Sequence, residues 1–137
     1  MAEIELLTLA NHAEAVGGLL YVSGAGWDVV TRAYPRDVGP NPHHFGIAVS
    51  VLVGWNETEQ PHKLQLSIEN EDGNVLWSLQ GNLEMQRPGS AIPGADLRAA
   101  LAIMLSFTFP QAGGYRVVAE LPGKRRSYSF RVFDQVK

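Results

Sequence analysis

The residues of this chain that could do chemistry gather in two stretches rich in proline and glycine. His43 and His44 end the first stretch, residues 34–44, which also contains Tyr34 and Arg36. Three histidines can hold a catalytic zinc ion, and a histidine beside a carboxylate can act as a general base. Neighbouring histidines on an extended chain point in opposite directions, however, so both seldom bind one ion. We therefore predict no metal site and no cofactor.

The second stretch, residues 86–97, contains two Pro-Gly pairs, and Trp55 ends an apolar run beside a polar turn. Long loops on a rigid scaffold are where binding residues commonly lie. These two stretches and the exposed tryptophan supply the candidate contacts with a ligand or partner: Tyr34, Arg36, His43, His44, Trp55, Arg87 and Asp96.

Motifs for covalent or nucleotide chemistry are missing from the sequence. The chain has no cysteine, which excludes disulfides and thiolate nucleophiles. Residues 23–26 resemble a nucleophile elbow only superficially, since no helix is predicted to follow them. The acidic residues near Asp72 are explained by a turn and by solubility, and a calcium loop would need more oxygen ligands in series. We predict no catalytic residue.

Charge is modest overall but unevenly distributed along the chain. The net charge is −3, with 4 basic and 12 acidic groups in residues 1–97 and 7 basic and 2 acidic groups in residues 98–137. Strands from both halves interleave in a sheet protein, so this asymmetry need not create a charged patch. Nucleic acid is an unlikely partner for the basic run 124–126. The acidic start and the lack of a long apolar run predict a cytoplasmic protein with no membrane contact.

Alternation of apolar and polar side chains dominates the sequence and predicts strands throughout. The run 98–108 has helix-forming residues, yet Leu101, Ile103 and Leu105 alternate, so we predict a strand there too. A Gly-Gly turn follows the first strand, and an Asp-Gly turn joins the clearest hairpin. The expected strands are 3–10, 19–23, 27–33, 45–55, 62–69, 74–80, 98–108, 113–121 and a last one that starts near residues 124–126 and runs through Val132.

The faces of these strands indicate a single domain over residues 1–137. Trp27, Val29 and Thr31 are expected to share one face, and core packing explains the tryptophans best. Pro110 followed by Tyr115 resembles the tyrosine corner of immunoglobulin-like domains. We predict an all-β fold: an antiparallel β-sandwich, immunoglobulin-like, of about eight strands.

Four short segments together resemble a family of small bacterial proteins of unknown function, whose members are single, mostly-β domains. They are Tyr21–Asp28, Val53–Thr58, Glu69–Gly73 and the pattern from Pro110 to Tyr115. The similarity runs from about Leu6 to Val132. It implies a bacterial, intracellular β domain and transfers no catalytic residue.

Two functions remain open from the sequence. The first is a non-enzymatic binding or protein-interaction module that contacts a protein partner, or a second copy as a homodimer, through its loops or an open sheet edge. The alternative is a small-ligand-binding protein or hydrolase-type enzyme with His43, His44, Trp55 and a nearby acid in one pocket. The two differ in whether the long loops converge on a concave site.

Overall fold

The computed structural model describes residues 2–137, and this part of the chain is built from strands with one short 3₁₀ turn. The strands are β1 (Glu3–Val16), β2 (Leu19–Ala25), β3 (Val29–Tyr34), β4 (His43–Val53), β5 (Pro61–Asn70), β6 (Val75–Glu84), β7 (Leu97–Phe107), β8 (Gly113–Leu121) and β9 (Lys124–Val136). The all-β prediction is confirmed.

The strands form two sheets. The four-stranded sheet has the order β2-β1-β4-β7, and the five-stranded sheet has the order β3-β9-β8-β5-β6. The pairing of β3 with β9 is parallel, so the prediction of a strictly antiparallel fold is wrong at this one pair. A parallel pair arises because the chain crosses from one sheet to the other between β2 and β3. The five-stranded sheet is also curled into a half-barrel.

Turn chemistry sets the two clearest hairpins. Gly17 and Gly18 both have positive φ, at 59° and 80°, as a tight two-residue turn between β1 and β2 requires. Between β5 and β6, Gly73 has a φ of 83°, and the Asn70 side-chain oxygen accepts backbone N–H groups from Asp72 and Asn74 at 3.0 Å each. Both turns agree with the sequence prediction.

The core lies between the sheets, with β4 at the centre of one and β8 and β5 within the other. The inward side chains of β4, from Phe45 to Val53, are fully buried and face Ile68 and Val117 of the opposite sheet. The strand prediction for residues 98–108 is confirmed, because β7 pairs with β4 along its whole length. Here the alternating pattern outweighs helix propensity.

In β3, the face that carries Val29 and Thr31 points outward. Val30 and Arg32 point inward and are buried, whereas Val29 is 45% exposed. The two-residue period places Val30 and Arg32 together on the other face, which is the buried one. The structure buries Arg32 because Asp134 on neighbouring β9 pairs with it.

The corner between β7 and β8 has the hydrogen bonding that the sequence predicted for Tyr115. Its hydroxyl donates to the carbonyl oxygen of Gln111 at 2.5 Å, and the Gln111 N–H donates to the same hydroxyl at 3.3 Å. The ring packs on Phe109 and Phe130 in the core. This arrangement fixes how the chain crosses between the sheets. Among residues 2–137, no helix is long and apolar enough to span a membrane.

Candidate functional site

Strand β4 separates the predicted site residues into two groups. His43 and His44 are its first two residues, and Trp55 lies just beyond its last residue, Val53. The two histidines therefore belong to a strand, whereas the sequence predicted that they end the preceding loop. At about 3.3 Å per residue the two ends of β4 are over 30 Å apart, so one pocket does not contain His43, His44 and Trp55 together.

A buried ion pair organises the end that contains the histidines. Arg32 donates to both carboxylate oxygens of Asp134, from Nε at 2.7 Å and from Nη2 at 3.0 Å, and its Nη1 donates to the Phe109 carbonyl oxygen at 2.6 Å. The Tyr34 hydroxyl donates to Asp134 Oδ2 at 2.8 Å. The guanidinium holds the pKa of Asp134 below its usual range, and the hydrogen bond to Asp134 raises the pKa of Tyr34.

Both histidines at this end also contact protein groups. The His43 ring lies edge-on to Trp27 and stacked on Phe45, and burial, with the nearby His44 and Arg32 charges, lowers its pKa. On the opposite face of β4, His44 Nδ1 lies 2.6 Å from the Ser106 hydroxyl. Arg36 is exposed, and its backbone N–H donates to the carbonyl oxygen of the last residue. The contact groups predicted at this end thus mainly join strands to one another.

At the other end, Arg87 fastens two loops together. Its guanidinium lies 4.0 Å from the centre of the Trp55 ring, Nε donates to Thr58 Oγ1 at 2.7 Å, and Nη2 donates to the Trp55 carbonyl oxygen at 2.7 Å. Beside them, Trp55, Asp96 and Gly94 contribute to an open cavity of about 320 Å³. The structure therefore brings together Trp55, Arg87 and Asp96, the three predicted residues of this end.

The histidines do not meet a carboxylate in a cavity. His12 is 3.9 Å from Glu14 on the exposed hairpin, and His62 Nε2 is 2.6 Å from the carbonyl oxygen of Glu57. Across residues 2–137, no group of three or more histidine, aspartate and glutamate side chains is placed to hold a metal ion. The geometric condition that would favour an enzyme, both long loops converging on one site, is not met.

The outer face of the five-stranded sheet shows where the uneven charge goes. Glu69, which is 6% exposed, accepts from Arg116 at 2.8 Å and from Arg125 at 3.3 Å, and Arg125 lies 3.5 Å from Glu120. Arg126, on the other face of β9 opposite buried Ala119, reaches the four-stranded sheet and donates to the Ile4 carbonyl oxygen at 3.0 Å. Acidic residues from the first half of the chain thus pair with basic residues from the second half, as interleaved strands would lead one to expect.

A different kind of surface lies between the edge strands β6 and β7, and we call it the open side. An apolar groove of about 150 Å³ separates them there. No backbone hydrogen bonds join the two strands, since each ends its own sheet. The lining of the groove contains no charged residue; it comprises Leu64, Leu66, Leu79, Gln80, Gly81, Asn82, Leu83, Leu101 and Ile103.

Glycine at position 81 keeps this groove open. Gly81 lies opposite buried Leu64 in the β5–β6 ladder, so a side chain there would point inward. A Cβ added at Gly81 would meet no atom within 4 Å. Glycine within a strand often marks a place that another group approaches closely. Leu79, which should face the core at the same level as Leu66, is 47% exposed.

The opposite side of the molecule, between β1–β2 and β3–β9, is covered by the chain itself, and we call it the closed side. There the Trp27 ring packs edge-on against Phe45 and Phe130. The backbone carbonyl oxygen of Trp27 accepts a hydrogen bond from the Tyr128 hydroxyl at 2.6 Å. The Arg131 backbone N–H donates to the Asp28 carbonyl oxygen at 2.9 Å, and the Gly26 backbone N–H donates to the Leu9 carbonyl oxygen at 3.2 Å.

Sequence reasoning missed both the groove and the buried ion pair. The signals were present: Gly81 interrupts a strand, residues 99–107 carry no charge, and Arg32 shares a face with Val30. They were not decisive, because a glycine or an uncharged run is equally compatible with a buried central strand. Only the strand order shows that β6 and β7 are edges.

The chain belongs to DUF6941, a family of unknown function, whose profile matches residues 5–133. This confirms the resemblance to a family of unknown function seen in the sequence segments, and the mostly-β fold is consistent with it. No curated protein is significantly similar to the chain. Family membership brings no activity with it, so function has to be argued from the surfaces described above.

Proposed function

We propose that this protein is a non-enzymatic interaction module that binds an extended polypeptide segment along its open side. The observation that carries the proposal is the uncharged groove between two unpaired edge strands, with Gly81 leaving inward space unfilled. Apolar surface that could have been closed by one larger side chain is instead exposed, and surfaces of this kind are characteristic of binding sites.

An extended strand suits this surface better than a compact ligand. The free edge of β7 offers backbone N–H and C=O groups along a strand of 11 residues. An added strand satisfies those groups, and every second side chain then points into the groove between the sheets. The same edge without a partner would be open to uncontrolled pairing, since residues 99–107 contain neither charge nor proline.

The internal contacts of the candidate loop residues support an interaction module over the enzyme alternative. Arg87 commits Nε and Nη2 to Thr58 and Trp55, and Tyr34 commits its hydroxyl to Asp134. Ser106 and His44 form a close pair on an exposed surface and not in a cleft. In this proposal the two loops stabilise the ends of the molecule, and binding takes place along its open side.

The proposal includes an immunoglobulin-like classification of the fold and a bacterial, cytoplasmic setting. The strand order and the Tyr115 corner support the classification, and the parallel β3–β9 pair and the curl of the five-stranded sheet are its departures from a strictly antiparallel sandwich. The lack of cysteine and the bacterial family resemblance support the setting.

A fluorescence experiment tests the binding proposal. Because the chain has no cysteine, Asn82→Cys places a single environment-sensitive dye at the rim of the groove. The probe is a synthetic peptide of alternating threonine and valine, about eight residues long with a lysine at each end. With labelled protein at nanomolar concentration, we expect a saturable blue shift as peptide is added.

Two variants locate the binding. Gly81→Leu should fill the groove and weaken peptide binding about tenfold or more. Gly89→Leu, in the loop between β6 and β7, also meets open space at its Cβ and should leave binding unchanged. A dye at Val29→Cys on the closed side should not respond. No saturable shift at position 82, or equal binding by Gly81→Leu, would contradict the proposal.

A further inference from the structure

We propose that the segment bound on the open side is β7 of a second copy of this chain, paired antiparallel about a twofold axis near Ile103. This inference rests on the proposed function and names the occupant of the same surface. In the pair, the two four-stranded sheets become one continuous eight-stranded sheet. The inward side chains of β7 in each copy then lie over the groove between β6 and β7 of the other copy.

Regularity of the edge is the first argument for β7 as the pairing strand. It pairs with β4 through 11 residues with no shift in register, whereas the β5–β6 ladder shifts between Ile68 and Glu69. A straight edge pairs readily, while bulges hinder edge-to-edge contact. β7 also lacks the inward charges, prolines and lysines by which edge strands are usually protected.

Matching chemistry is the second argument. An antiparallel strand paired with its own copy keeps the same alternate residues facing inward, so Ile103 meets Ile103 at the axis and Leu101 of each copy meets Leu105 of the other. All three are partly exposed in the single chain. Arg98, at the start of the strand, is already paired with Glu5 of its own chain at 2.6 Å. In the dimer it lies opposite the uncharged C-terminal end of β7 in the second copy. No like charges meet in this arrangement.

Area is the third argument. Nine paired residues make a contact about 30 Å long, and the 10 Å spacing of packed sheets plus the width of a strand makes it about 15–20 Å wide. The two copies together would bury on the order of 1,000 Å², which is at the lower limit for a specific interface and fits a weak, reversible dimer. A twofold pair is also closed: it uses both β7 edges and leaves none for further growth.

Sedimentation equilibrium on the full chain tests the dimer over about 1 to 100 µM. The wild type should pass from monomer to dimer in this range. Met104→Lys places a charge on the outer face of β7, where the Met104 sulfur also lies 3.4 Å from the Ala13 backbone nitrogen. It should weaken the dimer about tenfold or more, because two copies bring these lysines close together, and a thermal melt of the monomer checks that losing the Ala13 contact does not unfold the chain. Val29→Lys, on edge strand β3, is the control: Val29 is 45% exposed and Met104 is 46% exposed. It should dimerise like the wild type.

Single cysteines provide a second test that does not depend on a destabilising charge. Ala102→Cys, Ile103→Cys and Met104→Cys bracket the expected axis, and at least one of them should form an intermolecular disulfide under mild oxidation. The control Val29→Cys should form no intermolecular disulfide. The chain contributes no cysteine of its own, so any disulfide-linked dimer reports the introduced residue.

The outcomes separate this inference from the proposed function. The dye at position 82 can be titrated with unlabelled full chain as well as with the peptide. If both shift the dye and β7 cysteines cross-link, both proposals hold. If the peptide shifts the dye while the chain stays monomeric at all concentrations, the self-pairing inference is overturned and strand binding stands. If the dimer persists in Met104→Lys and in Gly81→Leu, it uses another surface and the inference is wrong.

Discussion

The two sides of this molecule handle exposed sheet edges in opposite ways. On the closed side the chain crosses directly between the sheets, and Trp27 fills the gap by packing on Phe45 and Phe130. On the open side nothing from the described chain fills the equivalent gap, and Gly81 leaves it wider than a side chain would. Because the same domain fills the gap between its sheets on the closed side, the open groove does not reflect poor packing of the whole fold.

Polar groups and apolar surface are divided between the two sides of the molecule. The buried Arg32–Asp134 pair and the Tyr128 hydroxyl bond both lie at the closed side or the adjoining end of the molecule. The open side has no charged lining and no side-chain hydrogen bond across the groove. Specific polar contacts hold the closed side together, whereas the open side keeps an exposed apolar surface, which we propose is used for association. Each prediction below tests this division.

The largest effect is expected from removing Trp27. Trp27→Ala should lower the free energy of unfolding by about 3 kcal/mol, because a large aromatic is lost from three ring contacts and a cavity remains. Trp77→Ala on β6 is the control: Trp77 is partly buried, as Trp27 is, but makes no ring contact among residues 2–137, so its loss should cost less. Chemical denaturation measures both. Equal losses at the two positions would remove the distinction between the sides.

Breaking the buried ion pair should have the next largest effect. Asp134→Asn leaves the Arg32 guanidinium buried without a countercharge and should cost about 2 kcal/mol at neutral pH. Asp134 has a lowered pKa in the folded state, so its contribution is present above the unfolded value near 4 and is lost as pH falls through the folded value. Acid denaturation of Asp134→Asn should therefore begin from a lower stability and show a shallower slope below pH 4. An unchanged slope would argue against this ion pair.

A smaller effect is expected at the corner before β8. Tyr115→Phe removes the hydroxyl that donates to the Gln111 carbonyl oxygen and keeps the buried ring, so it should cost about 1 kcal/mol. Thermal unfolding gives the value. Tyr21→Phe, an exposed tyrosine on β2, serves as the control and should be neutral. If the two substitutions were indistinguishable, the hydroxyl bond of this corner would contribute nothing to the stability of the fold.

On the open side, the smallest effect carries the most information. Gly81→Leu should not lower stability, and relief of the cost of glycine in a strand could raise it by up to about 1 kcal/mol. The added side chain meets open space, so no strain is expected. Urea denaturation of Gly81→Leu against Gly89→Leu measures this. A loss comparable with that of Trp27→Ala would mean that the groove is closed in solution.

Much of the fold follows from local patterns in the sequence. Alternation gave the strands, including β7 against its helix propensity, and glycine positions gave both tight turns. The parallel β3–β9 pair and the inward facing of Arg32 did not follow, because each depends on a neighbour about 100 residues away. Burial of an arginine becomes favourable only when its carboxylate partner is known.

The candidate site followed less well from the sequence than the fold did. Trp55, Arg87 and Asp96 do meet, as loops at one end of the same strand pair would. His43 and His44 instead begin β4, because three prolines end just before them and leave the strand free to start there. The groove depends on which strands are edges, and that is a property of sheet order and not of any single segment.

Amide hydrogen exchange of β7, compared with that of edge strand β3 at low and high protein concentration, tests the central claim most directly. We predict that in dilute solution the outward-facing amides of β7 exchange rapidly, and that they become protected as the concentration rises through the micromolar range, while exchange in β3 stays unchanged. Protection of β7 that is the same at every concentration, or that rises equally in β3, would contradict the account.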